Sequence, residues 1–257
     1  DLVPIAAQEL TTFRGHALAL GLSDWIDWRT GSGYRSMAEI VPDVERRGGV
    51  FVIAHPRSVG DPICTGCDWT HSDVQPGPAR RVEVWNGEWQ GESQNEEGLA
   101  LAFDWLNDGH RLVLTAGTDH HGHGLADESL GFNVVWANAL TASEILAGIR
   151  HGHLYLSSGP VLEFEAVVGA TRLSMGDSLL APDGSAIQWV ARWRQSPTDA
   201  RVELIVDGGV VGERSTGSEG THVWGWTTPG ARWGLLSLRA ADGSLLALTN
   251  PIFLDGR

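Results

Sequence analysis

The hydrophobic pattern of this chain changes period at Ser157-Ser-Gly-Pro160, and that switch limits the possible folds more than any other feature. Before it, apolar runs of strand length alternate with segments at helical spacing. Val3–Gln8 and His16–Leu22 read as short extended segments. Ser36-Met-Ala-Glu39 has the serine-x-x-glutamate spacing of a capping box and predicts a helix running to Gly48-Gly49. Val50–Ala54 reads as a buried strand and Arg81–Trp85 as an alternating one. Asn95–Asn107 carries Leu99, Phe103 and Leu106 at helical spacing and stops at Gly109. Arg111–Ala116 and Phe132–Trp136 read as strands, and Thr141-Ala-Ser-Glu144 is a second capping box whose helix ends near Gly152. After Pro160 the helical signals stop. Leu162–Val168, Ile187–Trp193, Val202–Val206, His222–Trp226, Leu235–Arg239 and Leu245–Leu248 are short strand-like segments, with turns such as Asp207-Gly208-Gly209 and Asp242-Gly243 between them. This pattern predicts an α/β domain at 1–158 followed by a small antiparallel β-sandwich at 160–257.

The totals exclude several classes. A chain of 257 residues with 42% hydrophobic and 19% charged residues has the composition of a globular protein. Its net charge of −14 disfavours a nucleic-acid partner. All 18 basic residues are Arg, which rules out lysine Schiff-base chemistry and a P-loop lysine. No run reaches the ~18 apolar residues of a membrane span. The chain opens on Asp1 rather than Met, so a processed form or a fragment is expected, with any targeting signal outside it. Cys64-Thr-Gly-Cys67 sits in a loop-like context, where a small disulfide loop and free thiols both stay open. The sandwich, the absence of Lys and this CxxC loop lean towards export from a bacterial cell, periplasmic or secreted. Oligomeric state is open.

Acidic and imidazole residues gather at the ends of the expected strands. Residues 117–124 read Gly-Thr-Asp-His-His-Gly-His-Gly directly after Arg111–Ala116, which places one carboxylate and three imidazoles on a glycine-rich turn at the mouth of a buried strand. Carboxylate oxygen and imidazole nitrogen both suit Zn, Mn or Fe. Glu9 ends the first extended segment, His16 begins the second, His55 follows Val50–Ala54, and Glu83 lies in the Arg81–Trp85 strand. Carboxyl ends of parallel strands share one face of a barrel or wound sheet, so Glu9, His55 and Asp119 are expected to converge there. Asp119 and His121, two apart, can bind one ion or bridge to a neighbour. Glu9 can bridge two ions, and His16 and His55 supply neutral nitrogen donors. Two metals about 3.5–4 Å apart can hold a hydroxide nucleophile and polarise the substrate oxygen. Bound water then ionises near pH ~7, so no strongly basic side chain is needed.

These residues resemble the PHP (polymerase and histidinol phosphatase) superfamily of metal-dependent phosphoesterases, and within it the CehA/McbA-type metallohydrolases, a branch that includes carbaryl hydrolase. The matching pieces are Gln8-Glu9-Leu-Thr-Thr with Gly15-His16-Ala-Leu-Ala-Leu, Ile53-Ala54-His55-Pro56, Val82-Glu83-Val-Trp85-Asn86-Gly87 and Ala116-Gly117-Thr118-Asp119-His120-His121. Ile149 to Pro160 resembles the segment that closes the catalytic domain, and Thr249-Asn250-Pro251-Ile252 the end of a following β domain. The resemblance implies a distorted (β/α)7 PHP-type barrel with two or three divalent metal ions (Zn, Mn or Fe). It implies Glu9, His16, His55, Asp119 and His121 as ligands, with the metal-bound water positioned by Asp119, His121 and His55. It also puts Glu83 and Asn86 in the substrate pocket. By position alone, His120 is a further pocket candidate, and Arg57, beside His-Pro, is a candidate contact for an anionic substrate. The family's opening His-x-His motif has no counterpart here, so the barrel is expected to be N-terminally incomplete.

The expected function is therefore a metal-dependent hydrolase that uses metal-bound hydroxide on a small-molecule ester-type bond, a phosphoester first and a carbamate or carboxylic ester second. A reading of another class is a non-catalytic surface or glycan-binding protein with a degenerate metal site. Several residues have structural readings. His151 and His153 follow a helix C-terminus, where a protonated imidazole suits the dipole. Trp85 and Trp89 are candidates either for stacking on an aromatic substrate or for the core. Glu92, Glu96 and Glu97 read as a solvated face, and His123 as a neighbour of the site rather than a ligand.

Overall fold

The structure, a computed structural model, describes residues 2–59, 68–91, 94–121, 130–182, 184–227 and 230–255. The sequence motifs Cys64–Cys67, His123 and Glu92 lie outside these residues. A first sheet has five strands in the order β1 (Ala7–Thr12), β2 (Gly15–Leu20), β3 (Val50–Ile53), β4 (Arg81–Asn86) and β5 (Val113–Gly117). Strands β1, β2 and β3 pair antiparallel, whereas β3, β4 and β5 pair parallel. Helix α1 (Met37–Arg46) connects β2 to β3, and α2 (Asn95–Asn107) connects β4 to β5. The capping box at Ser36 forms: its N–H and its hydroxyl both donate to Glu39 Oε2, at 2.8 and 2.9 Å.

This sheet corrects the barrel expectation. It is open, with β1 at one edge and β5 at the other, and no barrel closes among the described residues. The cause is local. Only Phe13 and Arg14 separate β1 from β2, and so short a link makes an antiparallel hairpin. A parallel neighbour would need a crossover of roughly a dozen residues or more. The first strand is also later than the sequence pattern places it, at Ala7–Thr12 rather than Val3–Gln8, so Glu9 lies mid-strand. The molecule is dominated by strands, sixteen against three helices among the described residues, which a TIM-like barrel would not be.

The chain then turns away from the first sheet. Strand β6 (Phe132–Val135), helix α3 (Ala142–His151) and β7 (Leu154–Ser157) follow. The remainder is all strand: β8 (Val161–Val168), β9 (Thr171–Ser174), β10 (Ile187–Arg194), β11 (Arg201–Val206), β12 (Gly209–Ser215), β13 (Glu219–Trp226), β14 (Trp233–Arg239), β15 (Leu245–Thr249) and β16 (Ile252–Phe253). One sheet has the order β13-β10-β8-β9. The other runs β12-β11-β14-β15-β7-β6, with β16 on β14, and so takes in β6 and β7 from before Pro160. It is buried on both faces. Leu154, Leu156, Ile205, Trp233 and Leu235 pack into a core shared with the first sheet and its helices. Tyr155, Val202, Leu204, Leu236 and Leu238 pack into a second core against Phe164 and Trp189 of the four-stranded sheet. Burial on both faces explains why Trp233–Leu238 reads as a nearly unbroken apolar run.

Two asparagines join the first sheet to this central one. Along β5, Leu114 N–H donates to Asn250 Oδ1 at 2.8 Å, and Asn250 Nδ2 donates to the carbonyls of Leu114 and Leu154 at 3.0 and 3.1 Å. One step on, Ala116 N–H donates to Asn133 Oδ1 at 2.9 Å, and Asn133 Nδ2 returns a bond to Ala116 O at 2.7 Å. Each carboxamide thus imitates a peptide group of a neighbouring strand. Together they satisfy backbone that an edge strand would otherwise leave bare.

Candidate metal centre

The topology brings the acidic and imidazole residues to one end of the first sheet. Strands β3, β4 and β5 run parallel, so the residues after Ile53 and Gly117 emerge on the same side. Strand β2 runs the other way and therefore begins at that end. Its register pairs Ala17 with Ile53, and Ala54 N–H donates to His16 O at 3.1 Å, which sets His16 beside His55. Glu9 faces Leu18 across the β1–β2 ladder while Thr11 faces His16, so Glu9 and His16 are diagonal neighbours on one face of the hairpin.

The resulting geometry is tight. Glu9 Oε1 lies 2.9 Å from His16 Nδ1 and 3.9 Å from His55 Nε2. His55 Nε2 is also 3.9 Å from Asp119 Oδ2, and the two imidazole rings meet edge to face with centroids 5.1 Å apart. One donor atom each from Glu9, His16 and His55 lie within 4.8 Å of one another. His55 and Asp119 both hold positive φ, 26° and 48°. Non-glycine residues rarely adopt that region, and such strain gathers at functional sites.

Charge is distributed unevenly around this cluster. The His16 imidazole at 2.9 Å, with His55 nearby, holds the Glu9 carboxyl far below the usual carboxylate range, against its partial burial. Burial works against a charge on His55, but the neighbouring acidic groups, Glu9 first, outweigh it and raise its pKa. Glu83 is the opposite case: complete burial pushes its carboxyl up to about 7, even though Asn86 Nδ2 donates to Oε1 at 2.7 Å. Gly117 makes room for this group, since a Cβ there would stand 2.5 Å from Glu83 Oε2. Asn86 is itself held by its backbone: its N–H donates to Asn95 Oδ1 at 2.8 Å, and Asn95 Nδ2 returns a bond to Asn86 O at 3.1 Å. Asn95 is a positioning residue that the sequence pattern hides, because it reads there as the start of a helix.

Other expected site residues sit apart from the donor group. His121 follows Asp119 and its Nδ1 is 2.7 Å from Asp119 O, but its ring is 81% exposed and lies outside the group. His120 is exposed. Arg57 is half exposed and pairs with Asp68 at 3.4 Å. Trp85 and Trp89 are both buried and pack edge to face at 5.2 Å, so they serve the core rather than a substrate. His153 Nε2 lies 3.4 Å from Asp177 Oδ1, and His151 Nδ1 bonds Ala147 O at 2.8 Å on the last turn of α3.

The donor set can be tested for fit to a divalent ion. Ligand bonds of about 2.0–2.1 Å in a tetrahedral site put neighbouring donors about 3.3 Å apart. The separations Glu9–His16, 2.9 Å, and Glu9–His55 and His55–Asp119, 3.9 Å each, bracket that value. Nε2 is the His55 nitrogen that faces Glu9 and Asp119, at 3.9 Å from each, and so is the ring's donor atom for an ion there. One carboxylate and two imidazoles, with a second carboxylate adjoining, are a donor set for Zn, Mn or Fe. No protein-family model matches the chain, and neither the curated proteins nor the solved structures include a significant match.

Proposed function

We propose that this chain is a metal-dependent hydrolase of small ester-type substrates, with Glu9, His16, His55 and Asp119 as the residues that hold the metal. The observation that carries this reading is the meeting of four residues from separate segments, Glu9, His16, His55 and Asp119, at one end of one sheet. The resemblance of the same segments to the PHP superfamily supports it. A divalent cation bound there supplies Lewis acidity and lowers the pKa of water. Glu9 and Asp119 supply negative charge, and the imidazoles supply neutral donors. Asn86 bonds Glu83 at Oε1, which leaves Oε2, against Gly117, to hold or release a proton near neutral pH.

Phosphoesters are the first bond class, by the superfamily resemblance. One observation favours an uncharged ester or carbamate instead. The cluster is surrounded by the carboxylates of Glu9, Glu83 and Asp119, while Arg57, the cation nearest in sequence to His55, is occupied by Asp68. Turnover separates the two. With added Mn or Zn, the protein is expected to hydrolyse p-nitrophenyl phosphate, 1-naphthyl N-methylcarbamate, or both, and Asp119→Ala is expected to lose rate at least 100-fold. Absence of turnover on either substrate in metal-loaded, folded protein would count against the hydrolase reading and favour a binding protein with a degenerate site.

A further inference from the structure

Four arginines converge at the other end of the same strands. Arg80 precedes β4 and Arg81 opens it, Arg111 precedes β5, and Arg150 lies in the last turn of α3 next to His151; together they line a cavity of about 240 Å³. Among the described residues no carboxylate lines it. Two carboxylates approach from outside: Glu45 pairs with Arg81 at 2.5 Å and Asp255 with Arg111 at 2.7 Å. Four guanidinium charges against two carboxylates leave an excess of two positive charges, in a protein whose net charge is −14. Arg80 makes no ion pair among the described residues, and Arg150 bonds only the backbone carbonyls of Gly48 and Gly49 there.

Burial separates the four arginines. The Arg81 side chain is only 7% exposed, yet its Nε has no hydrogen-bond partner among the described residues, and neither does the buried Nε of Arg111. These two Nε atoms are sealed from solvent and only mark how tightly the cluster is packed; the N–H groups open to a ligand are those of Arg80, which is exposed, and Arg150, neither of which is paired with a carboxylate among the described residues. Arg111 is fixed by stacking over Phe253 at 4.7 Å. Rigid guanidinium forks with spare N–H groups are suited to oxyanions, which accept paired hydrogen bonds from them.

We propose that this cavity binds a tetrahedral oxyanion, either free phosphate or the phosphoryl group of a small metabolite. The site is separate from the metal cluster: one lies at the amino ends of β4 and β5, the other at their carboxyl ends. Its volume admits a phosphoryl group with a small attached moiety.

The test is the thermal midpoint of the full chain in the presence of EDTA, titrated with inorganic phosphate at constant ionic strength and with chloride as the control. A specific site gives a phosphate-dependent rise that follows the linkage between ligand binding and stability. A parallel titration with a phosphorylated sugar distinguishes a free ion from a phosphoryl metabolite, through whichever binds tighter. Arg80→Gln and Arg150→Gln, both at least partly exposed and so compatible with folding, are each expected to weaken apparent phosphate affinity about tenfold. Asp119→Ala at the metal cluster is expected to leave it unchanged. A rise no larger than chloride gives, or one that survives both arginine substitutions, would overturn the proposal. So would loss of the effect in Asp119→Ala, which would assign the phosphate to the metal cluster instead.

Discussion

Glu83 is the residue whose environment is most unlike water. Its carboxyl is completely buried, its pKa is raised from 4.5 to about 7, and a glycine stands where any side chain would collide with it. The sign of the linkage follows from that direction. Between pH 4.5 and about 7 the unfolded chain ionises this carboxyl while the folded chain keeps its proton, so stability falls as pH rises through the window. A shift of that size corresponds to about 3 kcal/mol. Glu83→Gln keeps an acceptor for Asn86 and removes the charge. In EDTA it is expected to raise the thermal midpoint at pH 8 and change little at pH 4.5; an equal effect at both would mean that the carboxyl is not held protonated. Much at this scale was legible in the sequence. His55 and Asp119 each follow an apolar run, and a polar group placed there reaches the sheet's end whichever way the rest of the sheet is wound. Glu9 shows its chemistry in the sequence but not its place, because Leu2 to Ile5 imitate a strand while the real one begins at Ala7 and holds Glu9 mid-strand. His121 shares Asp119's turn but points to solvent, and periodicity carries no information about orientation within a turn.

At the scale of elements, the capping boxes at Ser36 and Thr141 identified two helices because the signal is local. Thr141 Oγ1 accepts from Glu144 N–H at 3.3 Å, and Gly152 closes α3 with φ at 74°. Four strands have no counterpart in the sequence pattern: β7, β9, β12 and β16. Strand β7 is buried throughout, but its four residues follow directly on the end of α3, too short a run to separate from the helix. Strand β12 is largely exposed, β9 has four residues and β16 has two, and each exists because a neighbour supplies its hydrogen bonds. The direction of β1 relative to β2 was equally hidden, since it depends on a two-residue link rather than on either strand. Asn250 and Asn133 act at this level too, as substitutes for a strand along β5. Asn250→Ala would strip three hydrogen bonds from buried groups and is expected to cost about 3 kcal/mol in urea unfolding. A loss below about 1 kcal/mol would mean that water or a shifted strand replaces the carboxamide.

As a whole, the molecule is three layers of sheet with helices on the first, and the middle sheet buries both its faces. A barrel was the natural extrapolation from alternating strands and helices, but closure depends on how strands are joined, and the β1–β2 hairpin and the departure of β6 into the middle sheet both prevent it. The donor cluster does not need closure. It needs only β1, β2 and β3 antiparallel and β3 to β5 parallel, which bring Glu9, His16, His55 and Asp119 to one end. The central claim is that these residues hold a divalent cation. The most direct measurement is calorimetric titration of EDTA-stripped protein with Zn or Mn, comparing the native chain with His16→Ala and Asp119→Ala. The account predicts saturable binding of at least one ion, weakened 10-fold or more by either substitution, in proteins that remain folded by circular dichroism. Equal affinity in all three proteins, or no saturable binding in the native chain, would contradict it.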